Sequence, residues 1–163
     1  LTLNVLEAEA DLLQVDKREL STTLILVVAT PDAIATAQIG DGAVVMRDAV
    51  DRVTGLTNPN VEEFLEFTTF LTSPKAIDSI QIGFWEGNVT QLAIFSDGLQ
   101  LLALKMPEGK PHEPFFVPLF QAIAQEPDMD EMNKGLTKFL VSDRVTSRAD
   151  DDLTLLIANL STI

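Results

Sequence analysis

Three short acidic stretches carry residues whose types and spacing could bind a cation. Asp41 lies between two glycines, Asp97 is followed by Gly98, and Asp151 stands in a run of aspartates ahead of Leu153. Carboxylate oxygens are the ligands that hard divalent cations prefer, and a glycine lets the backbone approach a ligand closely. The pattern therefore indicates a metal site, provided that the three stretches come together in space.

Each stretch also has a simpler interpretation, which the sequence leaves open. Asp41-Gly42 is typical of a tight turn, since both residues tolerate a positive φ. Asp97 or the preceding Ser96 could cap a helix, and Asp151 could belong to a solvated loop. An acidic scaffold that binds Ca²⁺ or nothing is then the expectation, and it requires that the three aspartates lie far apart.

The composition favours a single domain with a substantial core and argues against nucleic-acid binding. The chain has 163 residues, 46% of them hydrophobic, and a net charge of -14 from 25 acidic and 11 basic residues. Such a charge repels the phosphates of nucleic acids and of anionic membranes. With no cysteine and only His112 as histidine, thiol chemistry and multi-histidine metal sites are poorly supported. No apolar run indicates a membrane span or a signal peptide, so we expect a cytoplasmic protein.

The periodicity of apolar residues predicts a mixed chain in which strands deliver the acidic stretches. Helices are predicted at about 1–17, 99–106, 115–125 and 130–143, and strands at 21–29, 33–39, 43–47, 77–85, 89–95 and 153–160. The apolar run 21–29 predicts a strand buried on both faces. Asp41-Gly42 predicts a hairpin, so that the first three strands form an antiparallel meander. The segment 48–76 breaks the pattern and carries a predicted helix at 62–71, which indicates an insertion between strands.

Four stretches, in their order, resemble successive motifs of the metal-dependent protein phosphatases of type 2C, and the bacterial members most closely. The matching segments are Ser21-Thr22-Thr23-Leu24, Ile39-Gly40-Asp41-Gly42, Phe95-Ser96-Asp97-Gly98-Leu99 and Asp151-Asp152-Leu153-Thr154-Leu155. The family's approximate patterns are Gly-Thr-Thr, Val-Gly-Asp-Ser, Ala-Ser-Asp-Gly and Asp-Asn-x-Thr, each at or beside a strand. The resemblance covers about 21–160, and we interpret 1–163 as one domain of this kind.

The resemblance implies an α+β fold, a four-layer α-β-β-α sandwich of two antiparallel sheets flanked by helix pairs. It also implies that metals lie in a cleft at one end, with 48–76 as the variable flap beside the active site. Asp97 with Gly98 and Asp151 would hold two ions, Mg²⁺ or Mn²⁺, and Asp41 with Asp97 a third, more labile ion. The implied activity is hydrolysis of phosphoserine or phosphothreonine in a phosphoprotein substrate by a metal-activated water.

Two parts of the family pattern have no match in this chain. No Asp-Gly pair precedes Asp41-Gly42, and no arginine corresponds to the one that binds the substrate phosphate, since only Arg18 precedes the first predicted strand. We therefore expect the sandwich to be incomplete at its N-terminus and the active domain to need an upstream segment. Without such a segment, the alternative is a catalytically silent phosphatase-like module that binds a phosphoprotein or a regulatory partner.

Overall fold

The fold begins with a helix, continues through antiparallel strands, and ends with helices followed by a last strand. The computed structural model describes residues 2–30, 32–57, 59, 68–149 and 151–160. The strands are β1 (Leu24–Ala29), β2 (Ala33–Ile39), β3 (Ala43–Asp48), β4 (Val53–Thr57), β5 (Gln81–Glu86), β6 (Val89–Phe95), β7 (Leu104–Lys105), β8 (Lys110–Pro111) and β9 (Leu155–Asn159). The helices are α1 (Thr2–Leu13), α2 (Gln100–Ala103), α3 (Glu113–Gln125), α4 (Met129–Leu140) and α5 (Asp143–Thr146), with 3₁₀ turns at Lys17–Leu20 and Asp97–Leu99. The predicted α+β class is confirmed, and none of the described helices is long and apolar enough to cross a membrane.

Two antiparallel sheets form the centre of the fold. The first sheet has the strand order β1-β2-β5 and the second β4-β3-β6-β9, while β7 and β8 form a small separate pair. In the second sheet, Ala43 of β3 lies opposite Phe95 of β6, which lies opposite Leu155 of β9. Because these neighbours are antiparallel, the start of β3, the end of β6 and the start of β9 lie at the same edge of the sheet.

The turn that contains Asp41 connects the two sheets and does not close a hairpin. β2 belongs to the first sheet and β3 to the second, so the predicted three-strand meander is wrong, although β1 and β2 do pair antiparallel. Gly40 has a φ of +102°, and a Cβ there would lie 2.3 Å from Cγ2 of Thr23. Glycine is therefore needed both for the backbone conformation and for the close approach of the neighbouring segment.

Two clusters of buried side chains occupy the two faces of the second sheet. The cluster between the sheets contains Ile34, Val44, Met46, Val89 and Leu92. The cluster on the opposite face joins strands to helices and contains Ala43, Val45, Ala93, Phe95, Leu99, Ala103, Leu104, Phe116, Phe120 and Val145. Successive residues of β3 alternate between the clusters, as the period of two along a strand requires. Helices α2 to α5 therefore cover one face of the second sheet, and the edge of this sheet carries the acidic residues.

The outer face of the first sheet carries exposed apolar side chains. Leu26 is 56% exposed, Val28 57%, Ile82 81% and Phe84 65%. The prediction that the strand at 21–29 is buried on both faces is therefore wrong: its alternate residues Ile25 and Val27 pack between the sheets, and the others face outward. The described residues form helix, sheet and sheet layers, and the fourth layer of the sandwich stays a prediction.

The segment predicted as an insertion, 48–76, contains a strand of the second sheet. β4 pairs with β3, with a register shift between Val44 and Val45. Gly55 and two threonines interrupt the apolar pattern there, which is why the sequence did not indicate a strand. The predicted helix at 62–71 lies mostly outside the described residues, and 68–80 contains turns and no regular helix. The sheet therefore continues to Thr57, and an insertion can begin only after it.

Candidate metal centre

The strand order brings the three predicted metal ligands to one edge of the second sheet. Asp41 precedes β3, Asp97 follows β6 and Asp151 precedes β9. The segments of Asp97 and Asp151 are joined beyond the strands, because the N–H of Ser96 donates to the carbonyl of Thr154 at 3.1 Å and the N–H of Thr154 donates to Oγ of Ser96 at 3.0 Å. Ser96 also donates to the carbonyl of Asp152 at 3.1 Å. These contacts extend the pairing of β6 and β9 into the acidic residues.

Asp97 experiences the negative charge of both other aspartates. Its carboxyl pKa is raised above the usual value, first by burial, then by the charge of Asp41, with a smaller contribution from Asp151. The N–H of Gly98 donates to Oδ1 of Asp97 at 2.9 Å and opposes this rise in pKa. Asp41 and Asp151 therefore each lie within electrostatic range of Asp97. The scaffold interpretation, which required the aspartates to be far apart, is not favoured.

The other two carboxylates have different surroundings. Asp41 is half-buried, and its Oδ2 accepts a hydrogen bond from the hydroxyl of Thr68. Asp151 is exposed, and its Oδ1 accepts a hydrogen bond from the N–H of Asp152 at 2.7 Å. Among the described residues, no lysine or arginine forms an ion pair with any of the three aspartates. Their charge is therefore left for a cation to neutralise.

The three carboxylates do not meet at one point. Within the ranges that the structure describes, no group of three acidic or histidine side chains is arranged to hold one metal ion directly. Mg²⁺ retains several waters and commonly binds proteins through one or two carboxylates. A donor set of carboxylates alone thus fits hard divalent ions bound partly through water, and it does not suit a zinc site of cysteine and histidine ligands.

Gly98 permits the close approach of the Asp97 and Asp151 segments. A Cβ at this position would lie 2.7 Å from the carbonyl oxygen of Asp152 and 2.9 Å from that of Asp151. The substitution Gly98→Ala should therefore displace the 151–152 loop. We expect the free energy of unfolding to fall by about 1–3 kcal/mol and Mn²⁺ affinity to fall about tenfold, as measured by urea denaturation and calorimetric titration.

Gly135→Ala is the matched control for this substitution. A Cβ at Gly135, in α4, would have no neighbouring heavy atom within 4 Å. Alanine there should raise the free energy of unfolding by up to about 1 kcal/mol, because glycine is a poor helix former. If both variants bound Mn²⁺ as the wild type does, the contact of Gly98 with the 151–152 loop would have no importance for the site.

Three polar residues near Asp41 were missed by the sequence analysis. Gln38 and Gln100 are buried and hydrogen-bond to the backbone of the Gly40 to Gly42 turn, and Thr68 contacts the Asp41 carboxylate. None of them belongs to a motif. The only signal in the sequence was a glutamine at the end of an apolar strand, where a buried amide needs partners.

The sequence is similar to that of a known phosphatase. The family model of Protein phosphatase 2C matches residues 1–141. Serine/threonine-protein phosphatase 3 of Escherichia coli (strain K12) is 36% identical over 156 residues, which cover 93% of this chain and 60% of that protein. The chain thus spans less than two thirds of the length of this relative.

The structure is also similar to solved structures, at low sequence identity. The serine/threonine phosphatase PstP/Ppp of Mycobacterium tuberculosis matches with a TM-score of 0.60 and 15% identity, over 98% of this chain and 68% of that one. The catalytic domain of PstP in complex with two manganese ions matches with a TM-score of 0.55 and 16% identity, over 96% of this chain and 66% of that one. At this identity the matches show the fold alone.

Proposed function

The chain belongs to the protein phosphatase 2C family, and from this premise we propose that it carries the metal centre of an enzyme that hydrolyses phosphoserine or phosphothreonine in proteins. The observation that carries the proposal is the convergence of Asp41, Asp97 and Asp151 at one sheet edge, where burial and then the charges of the other two raise the pKa of Asp97. A cation would relieve this repulsion, and a phosphorylated substrate would need that cation.

The assignment of ligands follows the position of each carboxylate. We propose that Asp97 and Asp151, with the backbone at Gly98, hold two Mg²⁺ or Mn²⁺ ions, and that Asp41 with Asp97 holds a third. Such ions, when bound, offset the charge of a phosphate and lower the pKa of a coordinated water. The chain's own part is to hold the carboxylates in place through Ser96 and Thr154.

The net charge explains why the substrate would depend on cations. A chain with a charge of -14 repels a phosphate group, and the three carboxylates add to the repulsion, since no lysine or arginine of the described residues forms an ion pair with them. We further propose that the segment after Thr57 is the flap beside this site and that 1–163 belongs to one phosphatase domain. The hydrogen bond from Thr68 to Asp41 supports the placement of the flap.

The test is a titration of Mn²⁺ and of Mg²⁺ into the 163-residue chain by calorimetry, together with hydrolysis of a phosphothreonine peptide. We expect saturable binding that EDTA reverses and only slow Mn²⁺-dependent release of phosphate, because this chain has no match for the first Asp-Gly pair and the phosphate-binding arginine of the family pattern. A phosphotyrosine peptide of otherwise identical sequence is the matched substrate and should be hydrolysed more slowly. Absence of saturable binding would overturn the metal centre, and phosphate release that does not depend on Mn²⁺ would overturn the proposed hydrolysis. Efficient hydrolysis by this chain would overturn the expectation that catalysis needs an upstream segment.

A further inference from the structure

A buried glutamine binds the turn that carries Asp41 from within β2. Gln38 is 1% exposed, and its Nε2 donates to the carbonyl of Gly40 at 3.0 Å and to the carbonyl of Gly42. Its Oε1 accepts a hydrogen bond from the hydroxyl of Thr57, and that hydroxyl accepts one from the N–H of Val44 at 3.0 Å. Both donors and the acceptor of the amide are therefore used. The carbonyls on either side of Asp41 are fixed by one side chain.

A second buried glutamine reaches the same turn from the Asp97 segment. Gln100 is 4% exposed and is the first residue of α2, which directly follows the 3₁₀ turn that begins at Asp97. Its Nε2 donates to the main-chain carbonyl of Asp41. This hydrogen bond connects the element that carries one candidate ligand with the backbone of another. The separation of Asp41 and Asp97 therefore depends on a side chain that is itself no ligand.

We propose that Gln38 and Gln100 are positioning residues that fix Asp41 relative to Asp97 for metal binding. This inference rests on the proposed function, because it gives the two amides a role only if the carboxylates share a metal centre. A methionine would fill nearly the same volume but would leave the carbonyls of the turn without these donors. The backbone of Asp41 could then reorient. Substitution of residues that orient metal ligands from outside the coordination sphere typically lowers metal affinity 10- to 100-fold.

A third buried glutamine provides the matched control. Gln91 is 3% exposed, and its Nε2 donates to the carbonyl of Phe120 in α3, so it makes the same kind of hydrogen bond without touching the turn. Gln91→Met should lower the melting temperature, as any lost buried hydrogen bond does, and leave Mn²⁺ affinity unchanged. Gln38→Met and Gln100→Met should lower the melting temperature comparably and also weaken Mn²⁺ binding about tenfold.

The experiment measures Mn²⁺ affinity by calorimetry and melting temperature by circular dichroism for the wild-type chain and the three variants. Thr57→Val removes the hydroxyl that donates to Gln38 and accepts from the N–H of Val44. It leaves Gln38 in place and should also weaken Mn²⁺ binding. If Gln100→Met and Thr57→Val bind Mn²⁺ like Gln91→Met, the positioning role is overturned and the amides serve stability alone. If the wild type binds no Mn²⁺, the proposed metal centre fails and this role fails with it.

Discussion

Replacing Asp97 with asparagine should abolish saturable Mn²⁺ binding and at the same time stabilise the metal-free chain. The asparagine side chain has the same shape but lacks the charge that burial, Asp41 and Asp151 all disfavour. We expect Mn²⁺ affinity to fall at least about 100-fold, because asparagine is a much weaker ligand than a carboxylate. The melting temperature without metal should rise by only about 1–3 °C, because Asp97 is partly exposed and solvent screens its charge.

A fall in Mn²⁺ affinity together with a rise in melting temperature distinguishes a metal ligand from a residue that only supports the structure. Asp151→Asn should also abolish binding, with little change in melting temperature, because Asp151 is exposed. Asp130→Asn removes the same charge from the exposed surface of α4 and is the control, for which Mn²⁺ affinity should stay at the wild-type value. An Asp97→Asn variant that titrates with Mn²⁺ as the wild type does would exclude Asp97 as a ligand.

Phe116→Ala should lower the free energy of unfolding by about 3–5 kcal/mol, the usual range for truncating a buried phenylalanine. Phe116 is fully buried in α3, and its ring centroid lies 5.7 Å from that of Phe95 and 5.9 Å from that of Phe120. The substitution leaves a cavity between α3 and the second sheet that the surrounding rings can fill only in part. Urea denaturation followed by circular dichroism measures the loss.

The control for this cavity is Leu101→Ala on α2, where the leucine is 61% exposed. Its effect on the free energy of unfolding should stay within about 0.5 kcal/mol.

Because Phe95 directly precedes Ser96 and Asp97, the cavity at Phe116 should also weaken Mn²⁺ binding under native conditions. Similar unfolding free energies for the two variants would mean that α3 contributes little to the stability of the sheet.

The sequence predicted most strands correctly but not the sheets to which they belong. Alternation identified 33–39, the position after the Asp41-Gly42 turn identified 43–47, and an apolar run identified 89–95, because all three are local properties of the sequence. Asp41-Gly42 indicated a reversal of direction, but whether the next strand joins the same sheet or the facing one depends on packing between distant segments. For the same reason, the uninterrupted apolar run of β1 gave no sign that Leu26 and Val28 face outward.

The sequence predicted the charged residues of the candidate site but not the residues that hydrogen-bond to its backbone. Asp41, Asp97 and Asp151 stand in recognisable stretches at strand ends, so their convergence could be inferred from an antiparallel arrangement. Gln38 and Gln100 act through hydrogen bonds to backbone carbonyls. The sequence alone does not distinguish such buried glutamines from exposed ones. The assignment of the three aspartates as metal ligands stays a prediction until the titrations are done.

The register that aligns Ala43, Phe95 and Leu155 would also make the proposed ion binding dependent on folding. Asp41 and Asp151 stand near opposite ends of the sequence that forms the second sheet, and the long segment between them has to fold before the proposed metal centre exists. The unfolded chain has no comparable site, so a divalent cation would bind the native state selectively and shift the unfolding equilibrium by mass action. The concentration of free cation would then determine how well this fold resists heat and denaturant, apart from any chemistry at the site.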